Sequence, residues 1–234
     1  MPRLPMDLVI SDSVQHALKN NEPVVSLEST VITHGLPYPQ NLELAESMED
    51  IIRHAGCVPA TVALIDGKVK VGLASAELKE IAMCKDAVKV SRRDFGFALA
   101  NRRIGGTTVA GTIYISALAG IKVFATGGIG GVHRGSQFDI SADLLELAHT
   151  PIIVVCAGAK SILDIPNTLE YLETQGVTVI GYQTDTFPAF FTRSSGVNVP
   201  FRIDSATEIA RIAQAQWNLG LNNSILVGNP IPAE

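Results

Sequence analysis

Charge is scarce in this chain. Asp, Glu, Lys and Arg make up 18% of its 234 residues, against about 25% in ordinary domains. The net charge is -5. A general nucleic-acid binder is excluded on that ground, because a phosphate backbone needs a basic face. Cysteine is also sparse. Cys57, Cys84 and Cys156 are odd in number and far apart, which excludes a disulfide framework and a CxxC-type zinc site and suits a reducing compartment. Long apolar runs are missing too. The longest, from Val109 to Ile121, is interrupted by Thr112, Tyr114 and Ser116 and is too short to span a bilayer. Met1 to Ile10 lacks the apolar segment of a signal peptide. These absences together lead us to expect a cytoplasmic protein with no membrane and no nucleic-acid partner.

What the chain has is apolar material, 47% of its residues. That is ample for a core and leaves some for an oligomer interface. Strand and helix patterns alternate. Val24–Leu27 reads as a buried strand. Leu42–His54 reads as a helix with Leu44, Ala45, Met48, Ile51 and Ile52 inward. Thr61–Ile65 and Lys68–Val71 flank Asp66-Gly67 as a hairpin. Helices are expected over Ala74–Met83, Val109–Ala119, Ile140–Ala148, Thr168–Thr174 and Ser205–Leu219. Strands are expected over Ala87–Val90, Val123–Ala125, Ile152–Cys156, Val177–Gly181 and Ile225–Val227. Alternation of this kind predicts a single α/β domain over residues 1–234, a three-layer α/β/α arrangement around a mainly parallel, mixed sheet. Sites in such folds gather at the carboxyl ends of strands.

Five segments, four at strand ends and one at a helix start, have the residues for chemistry. Glu28, in Ser26-Leu27-Glu28-Ser29-Thr30, is a candidate general acid or a plain paired carboxylate, and His34 follows as a loop-holding residue. Lys89-Val90-Ser91-Arg92-Arg93-Asp94 is either a phosphate site or a solvated cluster paired with Asp94. The stretch from Thr126 to Gly135 crowds five glycines behind a strand. Backbone N–H groups there can converge on an anion; the alternative is a tight turn. It is not a dinucleotide fingerprint, since His133 stands where the third glycine belongs. Asp139 or Ser141 can cap the next helix, or Asp139 can hold a hydrated divalent cation while Ser141 donates to a phosphate. Lys160, in Cys156-Ala157-Gly158-Ala159-Lys160-Ser161, is not in a Walker A loop. A lysine beside apolar walls loses solvation, its pKa falls, and the neutral amine can attack a carbonyl. Cys156 and Trp217 read as core residues, and nothing singles out Tyr182.

Taken together, these segments resemble the pseudouridine-5'-phosphate glycosidase family, also called indigoidine-synthase-A-like. The resembling blocks run from SLESTVITHGLPYPQN (Ser26–Asn41) through KVSRRD (Lys89–Asp94), TTVAGT (Thr107–Thr112), KVFATGGIGGVHRG (Lys122–Gly135), FDISADL (Phe138–Leu144), VVCAGAKSILD (Val154–Asp164) and GYQTDTFPAFF (Gly181–Phe191) to NPIP (Asn229–Pro232). The resemblance implies reversible cleavage of the carbon–carbon glycosidic bond of pseudouridine 5'-phosphate to uracil and ribose 5-phosphate, through a Schiff base with ring-opened ribose. It implies Lys160 as the Schiff-base lysine and Glu28 as the proton donor. It also implies Asp139 as the carboxylate holding Mn2+, and Lys89, Val109, Thr126, Ser141, Ala142 and Asp143 as substrate contacts. The family is homotrimeric. Two departures stand out: the turn Gly135-Ser136-Gln137-Phe138 is shorter than the family's by about two residues, and the sequence stops at Glu234, before the family's last helical segment. The alternative expectation is therefore a non-catalytic form of the same fold that binds sugar phosphate or partners other subunits.

Overall fold

The computed structural model describes residues 7–135 and 138–232. Ser136 and Gln137, in the turn expected to be short, lie outside the described residues. The chain forms two compact units, Met1–Phe124 and Ala125–Glu234.

In the first unit the order is β1 (Leu8–Ile10), α1 (Asp12–Lys19), β2 (Val24–Leu27), α2 (Thr30–His34), α3 (Gln40–His54), β3 (Val58–Ile65), β4 (Lys68–Val71) and α4 (Ser75–Met83). There follow β5 (Val88–Val90), a 3-10 turn at Arg92–Asp94, α5 (Phe95–Ala100), β6 (Gly105–Thr107) and α6 (Val109–Ala119). β1 runs parallel to β4, β4 antiparallel to β3, β3 parallel to β2, and β5 parallel to β6. The β3–β4 turn is the one Asp66-Gly67 predicts. Both residues have positive φ, 51° and 72°, as a two-residue type I′ hairpin requires. Thr108 caps α6 through its hydroxyl, and Gly120, at φ 88°, ends it in the left-handed conformation. The core of this unit gathers Val14, Val62, Leu64, Val71, Ala98 and Ile115 around the sheet.

β7 (Val123–Thr126) leads into the second unit. This consists of β8 (Val132–His133), α7 (Ala142–His149), β9 (Ile153–Cys156), β10 (Leu163–Asp164), α8 (Ile165–Thr174), β11 (Thr178–Tyr182), β12 (Phe201–Ile203), α9 (Ala206–Asn218) and β13 (Ile225–Gly228). β9, β13, β11 and β12 are parallel in that order, and β8 and β10 form a short antiparallel pair. The strands are thus mixed and mostly parallel with helices on both sides, the α/β class expected. Ile180, Ile209, Ala213, Ile225 and Val227 form a core here, against which Trp217 and Tyr182 pack partly buried.

Two element boundaries are set by caps. α7 begins at Ala142 rather than Ile140 because the Ser141 hydroxyl accepts from the Asp143 N–H. α8 begins at Ile165 rather than Thr168 because Asp164 caps it and Pro166 sits in its first turn. The face of α3 also differs from expectation. Ile51 is 66% exposed, and the buried positions are Asn41, Ala45 and Glu49. Glu49 is tolerated inside because Arg53 pairs with it at 2.6 Å and the Thr61 hydroxyl donates to it at 2.6 Å, which offsets its desolvation.

Candidate active site

In the first unit the candidate residues sit in or just after strands. Glu28 is half-buried and directly follows β2. Lys89 is exposed, lies in β5, and pairs in register with Gly106 of β6. Val109, 2% exposed, opens α6. Its side chain is in the core, so only its backbone is left to meet a ligand. The cations of the Lys89–Asp94 segment separate. The Arg92 guanidinium stacks over the Tyr114 ring at 4.7 Å, and Arg93 pairs with Asp94 at 3.3 Å. Asp94 also accepts from the Ser91 N–H. His34 lies in α2 and bonds its neighbour Thr33 through Nδ1 at 2.6 Å.

In the second unit the two most distinctive motifs are joined to each other. The Ala157 N–H donates to the Gly127 carbonyl at 3.1 Å, Ile129 N–H to Gly158 at 3.0 Å, and Lys160 N–H to Ile129 at 3.2 Å. The lysine turn is thereby held along the glycine stretch, with Ile129 and Ala159 bridged in parallel. Thr126 ends β7 just before that stretch. Ser141 and exposed Ala142 begin α7, and the Ser141 N–H bonds the Gly131 carbonyl at 3.0 Å. Buried Asp143 accepts the Gly130 N–H at 2.8 Å.

Two of the glycines have a packing role that their crowding does not by itself reveal. The N–H groups of Ile129, Gly130, Val132 and His133 are already bonded to Gly158, Asp143, Thr168 and Asp139. Those four N–H groups are spent inside the protein. Glycine is needed here for close packing. A Cβ on Gly130 would meet the Ser141 Cβ at 2.5 Å and the Asp143 Oδ2 at 2.8 Å, and one on Gly131 would meet the Thr168 hydroxyl at 2.5 Å. Gly130→Ala should therefore overpack the loop at a cost of about 1–3 kcal/mol. Thermal unfolding of the variant checks this, and an unchanged midpoint would refute it.

Lys160 departs from expectation. It is exposed and not walled in by the small apolar residues around it. Cys156, by contrast, is 2% exposed, and burial pushes its thiol up to about 12. It is no nucleophile at neutral pH. Asp139 is 63% exposed in its side chain, and its carboxylate lies 3.4 Å from Nδ1 of His133. Among the described residues, no group of three His, Cys, Asp or Glu is placed to hold a metal. The residues at Asp139 fit a hydrated hard cation with one carboxylate ligand, and no enclosed site.

The sequence profile of the indigoidine synthase A like proteins matches residues 13–234. The chain belongs to that family. Within this indigoidine synthase A like family it is 59% identical over 230 residues to the pseudouridine-5'-phosphate glycosidase of Clostridium botulinum, covering 97% of this chain and 75% of that protein. It is 54% identical to the enzyme of the same name from Dinoroseobacter shibae, over 100% of this chain and 77% of that one. The solved structure of the prealnumycin C-glycosynthase AlnA in complex with ribulose 5-phosphate superposes with a TM-score of 0.91 at 45% identity, covering 97% of this chain and 74% of that one. An indigoidine synthase A-like protein of Thermotoga maritima gives 0.89 at 34% identity, over 99% and 77%. The chain thus spans about three-quarters of the length of these relatives. Among the described residues, no helix is long and apolar enough to cross a membrane.

Proposed function

We propose that this chain is a pseudouridine-5'-phosphate glycosidase that cleaves, reversibly, the bond between uracil C5 and ribose C1′. The observation that carries the reading is the backbone pairing of the Lys160 turn with the glycine stretch, which fixes the backbone of an exposed lysine along the loop that follows Thr126 and is itself bonded to the N-cap of α7. The names of the relatives at 54–59% identity support it. So does the sugar phosphate bound by the C-glycosynthase.

A C-glycosidic bond has no heteroatom leaving group, so a pair of carboxylates acting as in ordinary glycosidases is a poor fit. Opening the sugar removes the difficulty. The Lys160 amine bonds to C1′ as the bond from C1′ to the ring oxygen breaks, and Glu28 gives that oxygen its proton. The amine nitrogen loses a proton. That proton returns to the Glu28 carboxylate and passes on to C5 of the base; the C1′–C5 bond breaks, its electron pair stays with uracil, and the nitrogen lone pair makes the imine. Water adds to the imine carbon and releases open-chain ribose 5-phosphate and the free lysine. Lys89, Thr126, the backbone at Val109 and the Ser141–Asp143 segment bind and orient the substrate, chiefly at its phosphate. Asp139 would hold a divalent cation, Mn2+ by family resemblance, which would supply positive charge to offset that of the anionic substrate. The homotrimer and the cytoplasmic location belong to the same reading.

Incubating the protein with pseudouridine 5'-phosphate and Mn2+ should release uracil, quantified by chromatography. Chelation with EDTA should suppress the release and added Mn2+ restore it. A folded protein that releases no uracil under these conditions would overturn the assignment.

A further inference from the structure

One buried cluster of hydroxyls in the first unit has no place in the chemistry above, yet every candidate residue of that unit hangs from it. Its origin is topological. β3 has β4 along one edge. Along the other it has β2 as far as Thr61, paired with Leu27, and then β6, whose Gly106 pairs with Ala63. β2 runs parallel to β3 and β6 antiparallel, so the two strands arrive head-on at Val62. Among the described residues, no strand is left there to bond the Val62 carbonyl. A buried carbonyl must find donors elsewhere.

Side chains supply them. The Ser29 hydroxyl donates to the Val62 carbonyl at 2.6 Å, and the Thr107 hydroxyl at 2.8 Å. Ser29 Oγ in turn accepts the Thr107 N–H at 2.9 Å. The proton of Thr107 is spent on Val62, so the contact of 2.8 Å between Thr107 and Thr112 has Thr112 as donor. Thr30 donates to the Thr107 carbonyl at 2.8 Å, and the Ser29 N–H bonds the same carbonyl at 3.3 Å. Ser29, Thr107 and Thr112 are all 0% exposed, so water does not compete for these bonds.

The chain neighbours of this cluster are the candidate residues. Glu28 immediately precedes Ser29. Thr108 and Val109 immediately follow Thr107. Lys89 is one register step away, since Val90 pairs with Thr107. We propose that Thr107, with Ser29, is a positioning residue for the cleavage, tying the Glu28 backbone and the first turn of α6 to one shared carbonyl so that the proton donor and the Val109 backbone keep a fixed spacing. The inference rests on the glycosidase reading for its kinetic consequence, and on geometry alone for its structural one.

Thr107→Val keeps the shape and removes the hydroxyl, and Thr107→Ser keeps the hydroxyl. The valine variant should lose roughly 10–100-fold in kcat, the scale on which small misplacements are felt, with KM within about threefold; the serine variant should recover most of the loss. In a Glu28→Gln background the same valine substitution should cost less than about threefold, because the group it positions is gone. Equal losses in T107V and T107S, or an undiminished loss on top of E28Q, would overturn the proposal. A crystal structure of T107V reads the same idea without turnover: Glu28 and Val109 displaced from their wild-type spacing support it, and both unmoved overturn it. An inactive wild type would count against the glycosidase reading and leave this structural comparison to decide. Should T107V not fold, Ser29→Ala takes its place with the same expected split.

Discussion

Lys160→Ala should lose uracil release to background, by roughly 10^4-fold or more, the scale on which loss of a covalent nucleophile is felt. The fold should survive, because the tie between the lysine turn and the glycine stretch runs through the Lys160 N–H and the Ile129 carbonyl, which alanine retains. The side chain is exposed, so truncation opens no cavity. Borohydride gives a second readout. Wild-type protein mixed with ribose 5-phosphate should be trapped as a secondary amine of the expected added mass, on Lys160 and not elsewhere, and Lys160→Ala should show no adduct. Full turnover by the alanine variant would remove the Schiff base from the mechanism and reopen the reaction class.

Glu28→Gln should separate imine formation from cleavage. Loss of a positioned proton donor costs typically 10^2–10^4-fold, and the loss should fall on kcat with KM little changed. Ribose 5-phosphate already opens to an aldehyde in solution, so its trapping on Lys160 should persist in Glu28→Gln. That pairing, a lost turnover and a retained adduct, is the signature of a residue that moves protons without forming the covalent bond. Loss of both would point to a collapsed site. Circular dichroism and the melting midpoint would expose that, since Glu28 sits beside the Val62 hydroxyl cluster and a disturbance there should lower stability.

How much of this was legible beforehand varied with the kind of signal. α6 could be read from end to end, because an apolar run rich in small residues and followed by glycine has few alternatives to a buried helix. The Asp66-Gly67 hairpin was legible because only a few residue pairs accept positive φ twice. The face of α3 was not, since nothing local says that Glu49 has Arg53 and Thr61 waiting for it, and hydropathy alone points Ile51 inward. β6 was missed for a related reason: Gly105-Gly106-Thr107 has no alternation, and its strand character comes from β3 and β5 on either side. At the site, the lysine, the glutamate and the glycines were all visible. Their working relations were not. The Gly130 N–H is taken up by Asp143, the lysine is open to solvent, and the hydroxyls at Val62 answer a shortage created by two strands meeting. Each of those facts belongs to topology, which a local pattern does not record.

The lacing of the two second-unit loops also limits how this family can change. From Gly127 to His133 one segment is tied at successive points to the segment from Ala157 to Asp164, first in parallel at Ile129 and then antiparallel at His133 and Leu163. An insertion or deletion inside either segment would shift every later partner and turn the lysine away from its place. Length variation should therefore be tolerated outside the two laced segments, as in the stretch just beyond Arg134. Homologues should differ there in residue number while their paired segments keep one fixed count.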